Sequence, residues 1–232
     1  MQTDDVLRLL QDVAAEVVTP RFRALGRDEV SSKRRPGDLV TVADREAEVL
    51  ITAALVGAHP AAVVLGEEAV AADPSLLRGW AHAEHAFTVD PVDGTRNFVK
   101  GSPDHAVMVA ELRSGVVVRS WIWQPQHRTA YVAERGAGAW RDGVRLDAGT
   151  AAPRTRGRTG TCCGVDYPRL ATGEAGWGVW LKTKPWDHAP GSLLLTEAGG
   201  TVGGLRGSAY RPGSPPRVLV ARAAAPASGQ RM

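Results

Sequence analysis

Asp90-Pro91-Val92-Asp93-Gly94-Thr95-Arg96-Asn97-Phe98 is the stretch around which the rest of the chain is organised. Residues 87–89 (Phe-Thr-Val) predict a short buried strand, so both aspartates are expected where that strand ends and the chain turns. Pro91 fixes one backbone angle, and Gly94 permits a conformation that a side chain would resist. The turn is therefore expected to be stiff and to point both carboxylates in one direction.

The chemistry of this turn predicts a metal and a phosphate group. Two carboxylates held close together repel each other, and a shared proton or bound cations must relieve the repulsion. Hard carboxylate oxygens favour Mg²⁺ or Mn²⁺ over zinc. Gly94 and Thr95 would place backbone N–H groups at a helix start, where phosphate oxygens commonly dock. An isolated Asp-Pro-x-Asp-Gly run is also typical of an ordinary turn, so this hypothesis needs support from elsewhere in the chain.

Composition narrows the class of protein. A chain of 232 residues with 44% hydrophobic content can bury one sizeable core or two small ones. The net charge of +3 is too small to favour a nucleic-acid partner, although residues 33–35 and 154–158 are locally basic. No apolar run is long enough for a membrane span, and the N-terminus lacks a secretory pattern. The adjacent Cys162 and Cys163 cannot link distant segments, which favours a reducing cytoplasm.

Apolar periodicity predicts the remaining elements. Helical spacing occurs at residues 6–22, 43–55, 167–172 and 189–198. Short apolar runs predict strands at residues 62–65, 105–112, 116–123, 129–133, 177–181 and 218–221. The three strands between 105 and 133 are expected to form an antiparallel meander that ends in a tight turn at residues 136–143.

The segments between these elements suggest the domain organisation. Residues 26–37 are basic and irregular and predict an exposed loop, and the Ala/Pro/Ser-rich tail from residue 222 predicts disorder. Residues 147–160, rich in Ala, Arg, Thr and Gly, are the best candidate for a linker. We therefore expect an N-terminal half, residues 1–147, of helices and antiparallel sheet. A shorter α/β half, residues 148–232, would follow.

Two further acidic signals occur at ends of predicted elements. Glu67 and Glu68 follow the strand at residues 62–65, which repeats the arrangement at Asp90. Asp187 follows Trp186 at the start of an apolar helix that ends before Gly199-Gly200. Asp is a common N-cap residue, so Asp187 alone would need no further explanation.

Together, the Gly66-Glu67-Glu68, Asp90 to Phe98 and Trp186-Asp187 motifs resemble the inositol monophosphatase family over about residues 38–200. The resemblance implies an α/β fold, a layered αβαβα sandwich of the sugar-phosphatase type, with a truncated second half. It implies a Mg²⁺-dependent phosphatase, often inhibited by lithium, whose partner is a small-molecule phosphate ester. A homodimer is left open.

The resemblance also implies roles for individual residues. Mg²⁺ ions would be held by the side chains of Glu67, Asp90, Asp93 and Asp187 and by the carbonyl of Val92. The catalytic residues would be Asp44, Glu67 and Thr95, with Asp44 orienting Thr95 so that its hydroxyl holds the attacking water. The substrate-binding residues would be Gly94 and Thr95 for the phosphate, and Lys182.

Two departures from the family pattern bear on the substrate. The segment between Asp147 and Asp187 is short, and Trp180 stands where the animal inositol enzymes carry a Glu that contacts ring hydroxyls. Lys182 and Lys184 follow, placed either to meet a second phosphate or carboxylate or to end a strand in solvent. We therefore expect poor selectivity for the inositol ring. Histidinol-phosphate or sugar-bisphosphate hydrolysis, and a catalytically weakened metal-binding relative, are the alternatives.

Overall fold

The computed structural model describes residues 1–33, 39–146 and 162–224. The helices in these ranges are α1 (Thr3–Val13), α2 (Thr19–Arg21), α3 (Val42–Ala58), α4 (Glu67–Ala72), α5 (Thr95–Val99), α6 (Cys163–Ala171) and α7 (Pro185–Glu197). The strands are β1 (Val30–Ser32), β2 (Leu39–Thr41), β3 (Val63–Gly66), β4 (His85–Asp93), β5 (Ala106–Arg113), β6 (Val116–Gln124), β7 (Thr129–Glu134), β8 (Gly138–Arg141), β9 (Val144–Arg145), β10 (Trp177–Trp180), β11 (Thr201–Gly204) and β12 (Leu219–Arg222). A π-helical segment, Ala14–Val18, joins α1 to α2, which confirms the helix predicted at residues 6–22.

A seven-stranded sheet in the order β3-β4-β5-β6-β7-β8-β9 organises the molecule. Strand β3 lies parallel to β4, and every other neighbouring pair is antiparallel. The parallel pair needs a crossover, which residues 67–84 supply. The strands from β5 to β7 form the predicted meander because only short turns separate them.

Both faces of the large sheet are buried, and alternate residues along each strand serve different cores. Phe87, Val107 and Val109 pack with α1 and α3 on one face. Ala86 and Met108 join the other core, which contains residues of α6 and α7 and extends to the three-stranded sheet β10-β12-β11. The described residues thus supply four successive layers, α–β–α–β, and the α/β layered fold class is confirmed.

The structure of the Asp90 to Phe98 stretch differs from the prediction at its first residues. Strand β4 does not end at Val89 but continues to Asp93. Asp90 pairs with Met108 and Asp93 pairs with Ala106, so one extra residue is accommodated between them as a bulge. Pro91 explains the irregularity because it has no N–H to give to the ladder. The two aspartates therefore lie on either side of a bulge rather than beyond the end of a strand.

The predicted exposed loop at residues 26–37 is wrong in part. Val30–Ser32 pairs antiparallel with Leu39–Thr41, and residues 34–38 lie outside the described ranges. The Lys33 side chain, expected in solvent, is only 6% exposed. A two-stranded ribbon of three residues a side gives too little apolar alternation for sequence patterns to reveal it.

Helix α7 begins four residues earlier than predicted, because Pro185 is well suited to a first helical position. Asp187 is therefore the third helical residue, and Lys184 occupies the N-cap. Pro190 lies in the second turn of α7, where it cannot donate the usual helical hydrogen bond.

Besides the ribbon of β1 and β2, four short elements were not predicted: α4, β8, β9 and β11. Each is six residues or fewer, and β8 and β11 contain glycines that indicate turns. The predicted linker at residues 147–160 lies outside the described residues, as does the tail from residue 225. One hydrophobic cluster contains residues from before and after that linker, and the proposed division into halves stays a prediction.

None of the helices in the described ranges is both long and apolar enough to cross a membrane.

A buried histidine packs against Phe98, the last residue of the Asp90 to Phe98 stretch. His105 is fully buried, with its ring 5.0 Å from that of Phe98 in α5 and 5.2 Å from that of Phe22. Its Nδ1 donates to the Ser102 carbonyl at 3.2 Å. Burial lowers the pKa of His105 to about 4, so the folded protein holds the ring neutral while the unfolded chain takes up a proton near pH 6.5.

This difference predicts acid sensitivity. Stability is retained above pH 6.5 and is lost as the pH falls toward 4, because the unfolded state then binds the extra proton. Between pH 7 and pH 5 the loss from this residue should be about 2 kcal/mol. Urea unfolding of His105→Gln should show a lower stability at pH 7 but a flatter pH dependence. His82→Gln, at an exposed position, is the control. If the unfolding free energy of His105→Gln depended on pH as steeply as that of the unsubstituted protein, His105 would not be the source of the acid sensitivity.

Candidate active site

Three carboxylates converge at the ends of neighbouring elements. Glu67, Asp90 and Asp187 each offer an oxygen, and these oxygens lie within 4.8 Å of one another. The parallel register pairs Gly66 with Val89, so Glu67 and Asp90 follow side by side. Asp187 reaches them from the first turn of α7.

Burial makes this acid trio electrostatically costly. Asp90 is 1% exposed, and no group among the described residues donates a hydrogen bond to its Oδ1. Burial, and next the charge of Glu67, raise the pKa of Asp90 and of Asp187 well above the usual value. A buried carboxyl oxygen without a donor, beside two further carboxylates that repel it, matches the hard, anionic ligands that Mg²⁺ prefers. The residues present therefore fit a divalent cation.

Two lysines contact Glu67, the remaining member of the trio. Lys33 Nζ lies 2.8 Å and Lys184 Nζ 3.2 Å from Glu67 Oε1. Burial raises the pKa of Glu67, but the two ammonium groups outweigh burial and hold that pKa below its usual value. Lys33 also lies 2.6 Å from Glu68 Oε1. Sequence reasoning missed the contribution of Lys33 because its basic run is typical of a solvated loop.

Asp93 lies in the same cavity but outside the trio. Its Oδ2 accepts hydrogen bonds from the Gly164 amide at 2.5 Å and from Cys162 Sγ at 2.9 Å. Burial raises the pKa of Asp93 to about 7, although these two bonds oppose the shift. Asp93 thus ties the end of β4 to the start of α6, which no local pattern in the sequence indicates.

Asp44 and Thr95 form a connected pair. Thr95 Oγ1 lies 3.0 Å from both Asp44 Oδ1 and the Val92 carbonyl oxygen, the two acceptors for its single proton. Asp44 Oδ2 accepts from the Thr41 amide at 2.8 Å and from the Thr41 hydroxyl at 2.5 Å. This is the capping box at the start of α3, so the helix cap also orients the carboxylate. Burial raises the pKa of Asp44 to about 6.

Gly94 connects β4 to α5 in the left-handed backbone region, with φ of 82°. A Cβ there would lie 3.1 Å from the Asp104 carbonyl oxygen and from Cys162 Sγ, so a side chain would be both strained and crowded. The predicted helix start at Thr95 is confirmed, and both residues line the cavity that contains the trio.

The two residues that were predicted to affect specificity, Lys182 and Trp180, lie in different surroundings. Lys182 is exposed and lines the cavity, while its carbonyl oxygen accepts from His188 Nε2 at 2.9 Å. The Trp180 ring stacks on Tyr167, with centroids 4.9 Å apart, and is not among the described residues that line the cavity. Of Lys182 and Lys184, it is Lys184 that contacts the trio, through Glu67.

Glu48 supports the trio from α3, and sequence reasoning did not single it out. Its two carboxylate oxygens accept from the backbone amides of Glu68 at 2.7 Å and Ala69 at 2.8 Å, the first turn of α4. A carboxylate at this position satisfies amides that have no partner within the helix. Since α4 begins with Glu67, the contact fixes the direction in which Glu67 points.

Comparison with known proteins gives consistent matches along the chain. The model of the inositol monophosphatase family matches residues 2–170 and 151–231. An inositol-1-monophosphatase of Rhizobium meliloti is 34% identical over 229 residues, covering 82% of this chain and 84% of that protein. Nus factor SuhB of Pseudomonas aeruginosa is 31% identical over 225 residues, covering 81% and 80%. A solved IMPase/NADP phosphatase complexed with Mg²⁺ and phosphate superposes with a TM-score of 0.75 at 21% identity, covering 93% and 87%.

Gly66→Ala should disturb the link between Glu48 and Glu67. The added Cβ would lie 2.3 Å from the Glu48 carboxyl carbon and push that carboxylate off the α4 amides. We expect a loss of stability of roughly 1–3 kcal/mol and, if the trio holds a divalent cation, weaker binding of that cation. Gly57→Ala is the matched control, because nothing lies within 4 Å of its Cβ and helix α3 should gain up to about 1 kcal/mol. Urea unfolding and Mg²⁺ titration calorimetry measure both effects, and equal behaviour of the two variants would exclude this role for Glu48.

Proposed function

Because the chain belongs to the inositol monophosphatase family, we propose that it is a Mg²⁺-dependent hydrolase of small phosphomonoesters. The observation that carries the proposal is the convergence of Glu67, Asp90 and Asp187 beside the hydrogen-bonded pair of Thr95 and Asp44. We place the activity in the cytoplasm, supported by the free thiols of Cys162 and Cys163, with neither a membrane nor a nucleic acid as partner.

In this proposal the acid trio holds Mg²⁺, joined by Asp93 and the Val92 carbonyl. When bound, the cation neutralises the phosphate and lowers the pKa of the attacking water. A solved structure of the same fold, an IMPase/NADP phosphatase, contains Mg²⁺ and phosphate, which supports the choice of ion. Glu67 is placed among the catalytic residues because it joins the trio to the lysines that balance its charge.

The chain's own groups would position and deprotonate the water. Thr95 Oγ1 accepts a proton from the water and passes its own proton to Asp44 Oδ1, the acceptor it already contacts at 3.0 Å. The water oxygen forms a bond to phosphorus, the bond from phosphorus to the alcohol oxygen breaks, and that oxygen takes a proton from solvent. Thr41 keeps Asp44 oriented throughout. The backbone N–H groups of Gly94 and Thr95 would bind the phosphate, and Lys182 would meet a charged group at the rim.

Metal dependence is the first test. Excess chelator should abolish phosphate release. Added Mg²⁺ should raise the midpoint of thermal unfolding, because the carboxylates are brought together for the ion in the folded protein and not in the unfolded chain. Asp90→Asn should lower the rate by roughly a hundredfold or more and reduce the Mg²⁺-induced stabilisation. Asp12→Asn, at an exposed position on α1, is the control. Turnover that persists in chelator would refute the role of the cation.

Proton transfer from the water through Thr95 to Asp44, the proposed relay, predicts a change in kcat rather than in metal binding. Thr95→Ala should lower kcat by roughly 10²–10⁴-fold with little change in Mg²⁺ affinity, because the hydroxyl handles a proton while carboxylates hold the ion. Thr95→Ser keeps the hydroxyl and should retain most of the activity. Asp44→Asn should resemble Thr95→Ala. Full kcat in Thr95→Ala, measured by phosphate release at saturating substrate, would remove the relay.

A further inference from the structure

The cavity that contains the acid trio is also lined by a group of apolar side chains. Its volume is about 930 Å³, large enough for a ligand well beyond a phosphate group. Two segments distant in sequence, residues 70–80 and 212–215, supply apolar side chains to its lining, while Arg96 and Thr183 line it elsewhere. The side chains that form this apolar wall are Val70, Ala71, Leu77, Trp80, Pro212 and Pro215.

The apolar wall is part of the packed structure. Val70 and Trp80 are buried members of the core that contains α7. The two segments pack closely, since a Cβ on Gly213 would lie 2.2 Å from Ala81 Cβ. Leu77 differs from its neighbours in the wall, because 43% of this large apolar side chain remains exposed. The wall therefore presents a preformed apolar surface at which Leu77 is available for contact.

This surface suits a polyol poorly. Within the described part of the lining, the wall contributes no charged side chain, whereas the hydroxyls of a sugar or inositol ring need partners when they lose water. Trp180, at the position of the ring-contacting Glu implied by the family resemblance, stacks on Tyr167 instead. An apolar group placed against the wall loses no hydrogen bonds and gains from burial.

We infer that the substrate is a phosphomonoester whose alcohol part is a bulky apolar group, bound against the wall of Leu77 and Trp80. The inference rests on the proposed function, which places the phosphate at the acid trio. The alcohol then packs against this wall, and specificity depends on the segment from Val70 to Trp80 together with the loop of residues 212–215.

The test compares substrates with similar leaving groups, so that binding rather than alcohol acidity decides the outcome. 2-Phenylethyl phosphate and glycerol 1-phosphate are both primary alkyl esters, and inositol 1-phosphate represents the ring polyols. We expect kcat/KM with Mg²⁺ to be at least about tenfold higher for 2-phenylethyl phosphate than for either polyol phosphate. A preference for glycerol 1-phosphate or inositol 1-phosphate would overturn the inference while leaving the proposed function in place. No phosphate release from any ester would overturn both.

A pair of leucines locates the effect. Leu76 and Leu77 lie on the same 3₁₀ turn, Pro74–Leu77, and are 41% and 43% exposed, but only Leu77 is among the described residues that line the cavity. Leu77→Asn should lower kcat/KM for 2-phenylethyl phosphate by about tenfold and have a clearly smaller effect on kcat/KM for glycerol 1-phosphate. Leu76→Asn should change neither. Equal behaviour of the two variants would overturn the assignment of the wall.

Discussion

Repulsion among Glu67, Asp90 and Asp187 is the constraint on which the rest of the structure depends. Three carboxylates within 4.8 Å of one another oppose folding unless other groups hold them in place and balance their charge. Parallel pairing of β3 with β4 fixes the first two, and the docking of α7 on the sheet brings the third. Lys33 and Lys184 supply positive charge at Glu67, so the cost falls mainly on the two aspartates.

The groups around the trio act by orienting it. Glu48 caps the helix that begins with Glu67, and the Thr41 cap of α3 orients Asp44 toward Thr95. Helix termini have unpaired amides, and here carboxylates satisfy them while keeping a fixed direction. The same hydrogen bonds that stabilise two helix starts therefore also set the geometry of the site.

Local patterns in the sequence predicted what depends on local chemistry. The end of β3 before Glu67, the start of α5 after Gly94 and the meander from β5 to β7 all follow from apolar runs and turn residues. Contacts between distant segments could not be predicted in this way. Lys33 reaches Glu67 because of a ribbon too short to show a pattern, Asp93 bonds to Gly164, and the apolar wall combines residues 70–80 with residues 212–215. Trp180 was expected near the substrate but packs on Tyr167, because its neighbours in space decide its orientation.

The position of Asp187 in the chain has a consequence for the order of assembly. As the protein is synthesised, the start of α4 with Glu67 and the strand β4 with Asp90 emerge long before α7 does. A nascent chain lacking α7 has only two of the three carboxylates, so it offers a divalent cation an incomplete set of oxygen ligands. In the proposed function, cation binding would therefore be coupled to the late docking of α7 against the finished sheet, and a bound cation would distinguish the mature protein from its folding intermediates.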